Sequence, residues 1–135
     1  MVTGSSPPRE KKIVSDAQKA WPVEIRLKSD KKTLTVGFDN GETHDYSAEY
    51  LRVCSPSAEV QGHNPSQKKT IPGKSNVEIM GIDPVGNYAV RIHFDDMHSS
   101  GIFTWNYFLE LAHEKDRHWG GYLRELEEKG LSRER

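Results

Sequence analysis

The sequence predicts an α+β domain: a mostly antiparallel β-sheet with a short helix after the third strand and a C-terminal helix. Three observations carry this expectation. Apolar and polar residues alternate from Val23 to Leu27, from Leu34 to Phe38 and again from Tyr88 to Phe94, the period of a half-buried strand. Asn40-Gly41 lies between two such runs and supplies the positive φ angles of a tight hairpin. From Trp105 the period lengthens to three and four, through Phe108, Leu109, Leu111 and Ala112 and then Trp119, Tyr122, Leu123 and Leu126, as on one face of a helix.

The elements follow in chain order. Residues 1–20 are rich in Gly, Ser, Pro and charge and read as a disordered lead, with a short helix available from Ser15-Asp16. Val23, Ile25 and Leu27 give the first strand, Asp30-Lys31-Lys32 a polar turn, and Leu34, Val36 and Phe38 the second strand. The third strand returns over 43–46. Ser47 then caps a short helical turn over 48–52. Residues 55–74 hold Pro56, Gly62, Pro65, Pro72 and Gly73 and few apolar residues. This reads as a loop, and loops of such length in small domains are functional or mobile. Val77, Ile79 and Ile82 begin another strand, which ends at a turn over 83–87. Tyr88, Val90, Ile92 and Phe94 continue the sheet, and after the turn Asp95-Asp96-Met97-His98 a strand returns over 101–104. The helix from Trp105 is expected to bend or break at Gly120-Gly121 and to end at Gly130. The expected organisation is a lead over 1–20, a domain over 21–112 and a charged helical tail over 113–135.

Composition excludes several function classes. The chain has 135 residues, 19 Lys plus Arg and 20 Asp plus Glu, for a net charge of −1. That balance is unlike the one-sided basic charge of a general nucleic-acid binder. No apolar run approaches the roughly 20 residues of a membrane span. The single cysteine, Cys54, cannot form an intramolecular disulfide or a Cys-rich zinc site. A reducing compartment, the cytoplasm, is therefore expected, with no nucleic-acid or membrane partner.

No complete catalytic constellation is legible, so the chain is expected not to be an enzyme. His93 and Asp95 would point the same way from a strand, as in a two-His, one-carboxylate iron site. The chain that follows is too short for the barrel such a site needs. His113 and His118 lie five apart, whereas a helical metal pair prefers three or four. Cys54 with His63 or His98 as base lacks an orienting third group. Gly62 and Gly73-Lys74 do not match a phosphate loop. The stretch 51–63 is different, because Arg52, Ser55, Ser57, Glu59, Gln61 and His63 crowd into it outside any regular pattern. One reading is a loop pinned by an internal Arg52–Glu59 pair; the other is a polar recognition surface.

The same stretch carries a family resemblance. Leu51-Arg52-Val53 and the run over 55–63, then Pro84-Val85-Gly86-Asn87-Tyr88-Ala89-Val90, then Phe94-Asp95-Asp96 with His98, Ser100-Gly101-Ile102 and Trp105 resemble the γ-butyrobetaine hydroxylase-like N-terminal domain family. These are small domains of unknown function, and the resemblance covers roughly residues 21–111. It implies a mixed, mostly antiparallel fold. In the hydroxylases the domain precedes a catalytic jelly-roll and holds a structural zinc through three cysteines and a histidine. Here the cysteine positions fall at Ser55, Ser57 and near Val60, and only His98 keeps the ligand type. Hydroxyls and a valine do not hold zinc at structural affinity, so no zinc is expected there and the fold should not depend on one. No oxygenase domain is expected in these residues, so hydroxylase activity is not carried over. The domain also resembles the C-terminal extension of some Mrp-type iron–sulfur carrier ATPases, which implies an accessory role in iron–sulfur protein maturation with such an ATPase as partner. The family usually has glycine in the turn after Asp95-Asp96. Met97 stands there instead, and a positive φ would strain it.

The leading expectation is therefore a non-enzymatic module that docks on a protein partner in iron–sulfur or iron metabolism. Its surface is expected to gather Arg52, Ser55, Ser57, Glu59, Gln61, His63 and His98 around a shallow polar pocket. An exposed His63 or His98 would make partner binding depend on pH between roughly 5.5 and 7.5. The alternative is an iron- or zinc-binding domain that uses His63 and His98, with Glu59 or Cys54. An unrecognised enzyme is the third class.

Overall fold

Period-two alternation and the Asn40-Gly41 turn build a first antiparallel sheet in order β1-β2-β3, from β1 (Pro22–Leu27), β2 (Thr33–Phe38) and β3 (Thr43–Ser47). The computed structural model describes residues 20–62 and 68–134. Gly41 takes a φ of 90° in the hairpin, and the Asn40 side chain accepts from the Glu42 amide at 3.0 Å. β3 runs directly into α1 (Ala48–Val53), whose N-cap Ser47 accepts from the Tyr50 amide. A second antiparallel sheet, in order β4-β5-β6, comprises β4 (Ile79–Val85), β5 (Ala89–Phe94) and β6 (Ile102–Thr104). Two further helices, α3 (Trp105–His113) and α4 (Lys115–Glu128), complete the chain.

One apolar cluster joins all of these. Leu34 and Val36 of β2, Tyr46 of β3 and Leu51 of α1 are buried with Ile79, Ile92, Phe103, Phe108 and Leu111. Tyr46 and Phe108 meet edge to face at 5.3 Å. Buried tyrosines need partners for their hydroxyls. Tyr46 donates to the Phe108 carbonyl at 2.7 Å and Tyr50 to the Leu111 carbonyl at 2.6 Å. Leu111 lies in the last turn of α3, so its carbonyl would otherwise lack a helical partner.

Several expectations are corrected. The loop over 55–74 contains a one-turn helix, α2 (Ala58–Gln61). The turn expected at residues 83–87 is shorter, because Asp83, Pro84 and Val85 belong to β4 and pair with Arg91, Val90 and Ala89. β4 is an edge strand, where proline's missing N–H costs no ladder bond. The long helix breaks at Glu114, not at Gly120-Gly121. Residues 113–117 are all exposed, so that segment has nothing to bury and becomes the corner. The two glycines stay helical because tertiary packing of Trp119, Tyr122 and Leu126 outweighs their cost of about 1 kcal/mol each. α4 ends as expected at Gly130, φ 66°. There the Leu131 amide reaches back to the Leu126 carbonyl at 2.8 Å, a Schellman closure. The charged tail also packs inward: Tyr122 and Leu126 belong to the same core as the sheets. Residues 1–19 of the expected lead lie outside the described residues, while Ala20 is buried.

Candidate functional site

The turn between β5 and β6 is braced from three sides, by its own backbone, by α1 and by the segment before β4. Asp96 sits at its start and uses both carboxylate oxygens. Oδ1 accepts from the His98 amide at 3.1 Å, an Asx turn that spans Met97. Oδ2 accepts from Arg52 Nε at 2.7 Å and lies 2.6 Å from Lys74 Nζ. Arg52 comes from the last turn of α1 and Lys74 from the segment before β4. Burial alone would raise the Asp96 carboxyl, but the hydrogen bonds from Lys74 and Arg52 outweigh it and hold the group at about 2.

Beside this ion cluster lies a second group of hydrogen-bonded side chains centred on His98. His98 is buried, and its Nε2 meets Ser55 Oγ at 2.9 Å and Ser57 Oγ at 3.4 Å. Its Nδ1 faces Glu59 Oε2 at 3.9 Å. Glu59 accepts from Ser100 Oγ at 2.7 Å. Gln61 donates to the Ser55 carbonyl at 2.9 Å. Gly101 makes the room, since a Cβ there would stand 2.2 Å from Ser55 Oγ. Burial, and then the Arg52 charge, pushes His98 below the usual histidine range, so the ring is neutral at physiological pH.

These clusters gather Arg52, Ser55, Ser57, Glu59, Gln61 and His98 as neighbours, but not around an open pocket. Arg52 pairs with Asp96 instead of Glu59, because the short turn presents the Asp96 carboxylate to the end of α1. His98 is interior, so it cannot act as the exposed, near-neutral switch that exposure would have made it. His63 lies outside the described residues. Cys54 is buried too, its thiol pushed up to about 12 by desolvation, which leaves no ready thiolate nucleophile. Asp96 and Lys74 were not among the expected site residues, although the sequence reading noted Asp96 in a family motif and Lys74 beside Gly73. No local signal marked them, because the burial of Arg52, which demands a carboxylate partner, is set by the segments that fold over the end of α1.

The donor set at the position of the hydroxylases' zinc does not fit that metal. Ser55, Ser57 and His98 are adjacent, yet two neutral hydroxyls already occupy the imidazole nitrogen, and Val60 offers no donor atom. The interior of the cluster is closed by hydrogen bonds.

What this braced turn presents is Met97. Its φ is 73° and it is 90% exposed. The glycine conformation is therefore kept without glycine. Next to it, the β4–β5 pairing shifts register between Ile79 and Gly81. Met80 lies at that irregularity and, next to buried Ile79, faces outward, 54% exposed. Met80, His93, Phe94, Asp95, Met97 and Ser99 line one groove of about 380 Å³. Sequence reasoning noticed the oddity of Met97 but not Met80, because a single outward apolar residue on a strand carries no marker of function.

Comparison with known proteins agrees with the fold. The chain matches the family described as gamma-butyrobetaine hydroxylase-like, N-terminal, over residues 25–109. Two solution structures determined by NMR are similar. One is 48% identical, with a TM-score of 0.72 over 85% of this chain and 90% of the other. The second is 38% identical, with a TM-score of 0.76 over 90% and 91%. A crystal structure of a DUF971-family protein of unknown function from Acidithiobacillus ferrooxidans is 36% identical, with a TM-score of 0.57 over 67% of this chain and 91% of that one. No curated protein matches the chain. Among the described residues no helix is long and apolar enough to cross a membrane.

Proposed function

The chain belongs to the gamma-butyrobetaine hydroxylase-like N-terminal domain family, and from that premise we propose that it is a non-catalytic docking module whose working surface is the Met80–Met97 groove. One observation carries this reading: Met80, at a strand irregularity, and Met97, in a left-handed turn conformation, set two flexible apolar side chains along the same groove. A non-glycine residue held at positive φ costs about 1–3 kcal/mol and persists only where its surroundings enforce it. The Arg52–Asp96–Lys74 cluster and the Asx turn to His98 supply that enforcement. Methionine suits an adaptable contact because it repacks around varied shapes. Asp95 and the Asp83–His93 pair border the groove, so the partner segment is one with an apolar side chain flanked by Lys or Arg. The closed state of His98 and the inert Cys54 thiol support binding over catalysis. They also give less support to a metal held by His98 with Cys54.

The family resemblance makes a Mrp-type iron–sulfur carrier ATPase the first partner to test, and the cytoplasm the expected location. Calorimetric titration of that ATPase with the full chain and with Met97→Gly separates the parts of the reading. Glycine removes the strain and the side chain together, so the variant should be at least as stable as the parent yet bind about tenfold more weakly, near 1.4 kcal/mol. Equal affinity for both would sink the groove. No binding by either would sink the iron–sulfur partner.

A further inference from the structure

On the far side of the hairpin three side chains of metal-ligand type converge. Glu42 immediately precedes β3 and His44 lies within it, two positions on, so both project to one side of the hairpin. His113 is the last residue of α3. Both imidazole Nε2 atoms point at the same oxygen, Glu42 Oε1, at 2.7 Å from His44 and 2.6 Å from His113. All three donor atoms lie within 4.8 Å of one another. We propose that Glu42, His44 and His113 form a surface site for a late first-row divalent metal, zinc being the probe of choice.

The chemistry and the surroundings both fit. Two imidazoles and a carboxylate are borderline ligands suited to zinc and its neighbours. Three protein ligands on a partly exposed surface leave a coordination position open to water or to a donor from another molecule. With bonds of about 2.0–2.1 Å, ligand atoms of a tetrahedral zinc stand about 3.3 Å apart, so each imidazole need withdraw by less than about 1 Å. The carboxylate is already oriented from behind, because Asn40 Nδ2 donates to Glu42 Oε2 at 2.9 Å. Such outer-shell bonds fix ligands before the metal arrives. His113 stands at a helix C-terminus, where the backbone carbonyls favour a cation. The site is separate from the cluster around His98 and shares no residue with it. Without metal, the His113–Glu42 hydrogen bond still ties the hairpin to α3, so the fold does not require the ion.

The test uses the full chain, dialysed against chelator and titrated with zinc chloride at neutral pH, with amide chemical shifts followed residue by residue. One equivalent should bind, and the shifts should centre on residues 42–44 and 113. Asn40→Ala should weaken binding by about tenfold, the lower end for an outer-shell partner. His113→Ala and His44→Ala should weaken it further, and His118→Ala, which alters a separate pair with Glu110, should leave it unchanged. His113 is exposed, so its replacement tests the site even if a change at His44 disturbs the strand. Absence of saturable binding would overturn the proposal, as would binding that survives His113→Ala or shifts centred elsewhere.

Discussion

At the scale of single residues, Asp96 sets the local chemistry. It neutralises Arg52, whose Nη1 is buried and lacks a hydrogen-bond partner among the described residues, so the guanidinium depends on this one carboxylate. Asp96→Asn removes the charge but keeps the shape, and should cost about 2–3 kcal/mol at neutral pH, as when one partner of a charged, partly buried pair is lost. The pH dependence has a definite sign. A carboxyl whose folded value is depressed contributes stability that is complete above its unfolded value, near pH 4, and disappears as pH falls toward 2. His98 acts in the same direction, because a histidine held below its usual value opposes protonation of the folded state. Its contribution is complete above roughly pH 6.5 and erodes below that. Urea unfolding followed by tryptophan fluorescence should therefore show parent and Asp96→Asn converging between pH 4 and 2. Parallel curves over that interval would contradict the assignment. Arg52 and His98 were legible in the sequence as polar residues out of pattern. Their burial was not, because periodicity says nothing of which loop folds over a helix end.

At the scale of elements, strands and hairpin follow directly from alternation and from Asn40-Gly41, since each is a local signal. The boundaries that depended on tertiary context did not follow. Pro84 reads as a turn residue until β4 is known to be an edge strand, and Gly120-Gly121 reads as a break until α4 is known to pack on the core. The approach of β6 to the segment over 55–57 is another tertiary feature, set by Gly101. A methyl group there would meet Ser55 Oγ at 2.2 Å and crowd Phe103 and Pro56. The Ser55 hydroxyl could escape only by leaving His98, so Gly101→Ala should cost about 1–3 kcal/mol, the usual range for overpacking. Ser55→Ala removes the obstructing oxygen, and the double variant should recover about 1 kcal/mol of that loss as a coupling term. Thermal or chemical denaturation of the four proteins measures the cycle. Strict additivity would show that β6 does not rest on Ser55.

At the scale of the whole molecule, the charged C-terminal segment closes the structure. The Gly73 amide donates to the Ser132 carbonyl at 2.9 Å and the Ser75 amide to the Arg133 carbonyl at 3.1 Å. Arg133 grips Glu49 of α1 with two bonds of 2.8 Å and lies over Trp119 at 5.4 Å. Its side chain is 44% exposed, but that of Glu49 is only 7% exposed, so the acid has little water to fall back on. The sequence reading set this tail apart because charge dominates it, and nothing in the sequence pairs Arg133 with an acid 84 positions earlier. The segment it fastens also delivers Lys74 to Asp96, so the tail supports the Met97 turn from a distance. Arg133→Ala should cost about 1–3 kcal/mol by stranding a buried carboxylate. Arg133→Lys should fall between, since an ammonium keeps the charge but not the two-pronged geometry. Hydrogen exchange should quicken at Gly73 and Ser75, whose amides lose their acceptors' anchorage, while the Gly41 hairpin stays as protected as before. Unchanged protection at residues 73–75 together with a loss below about 0.5 kcal/mol, the level of an ordinary surface change, would mean that the tail lies against the domain without holding it.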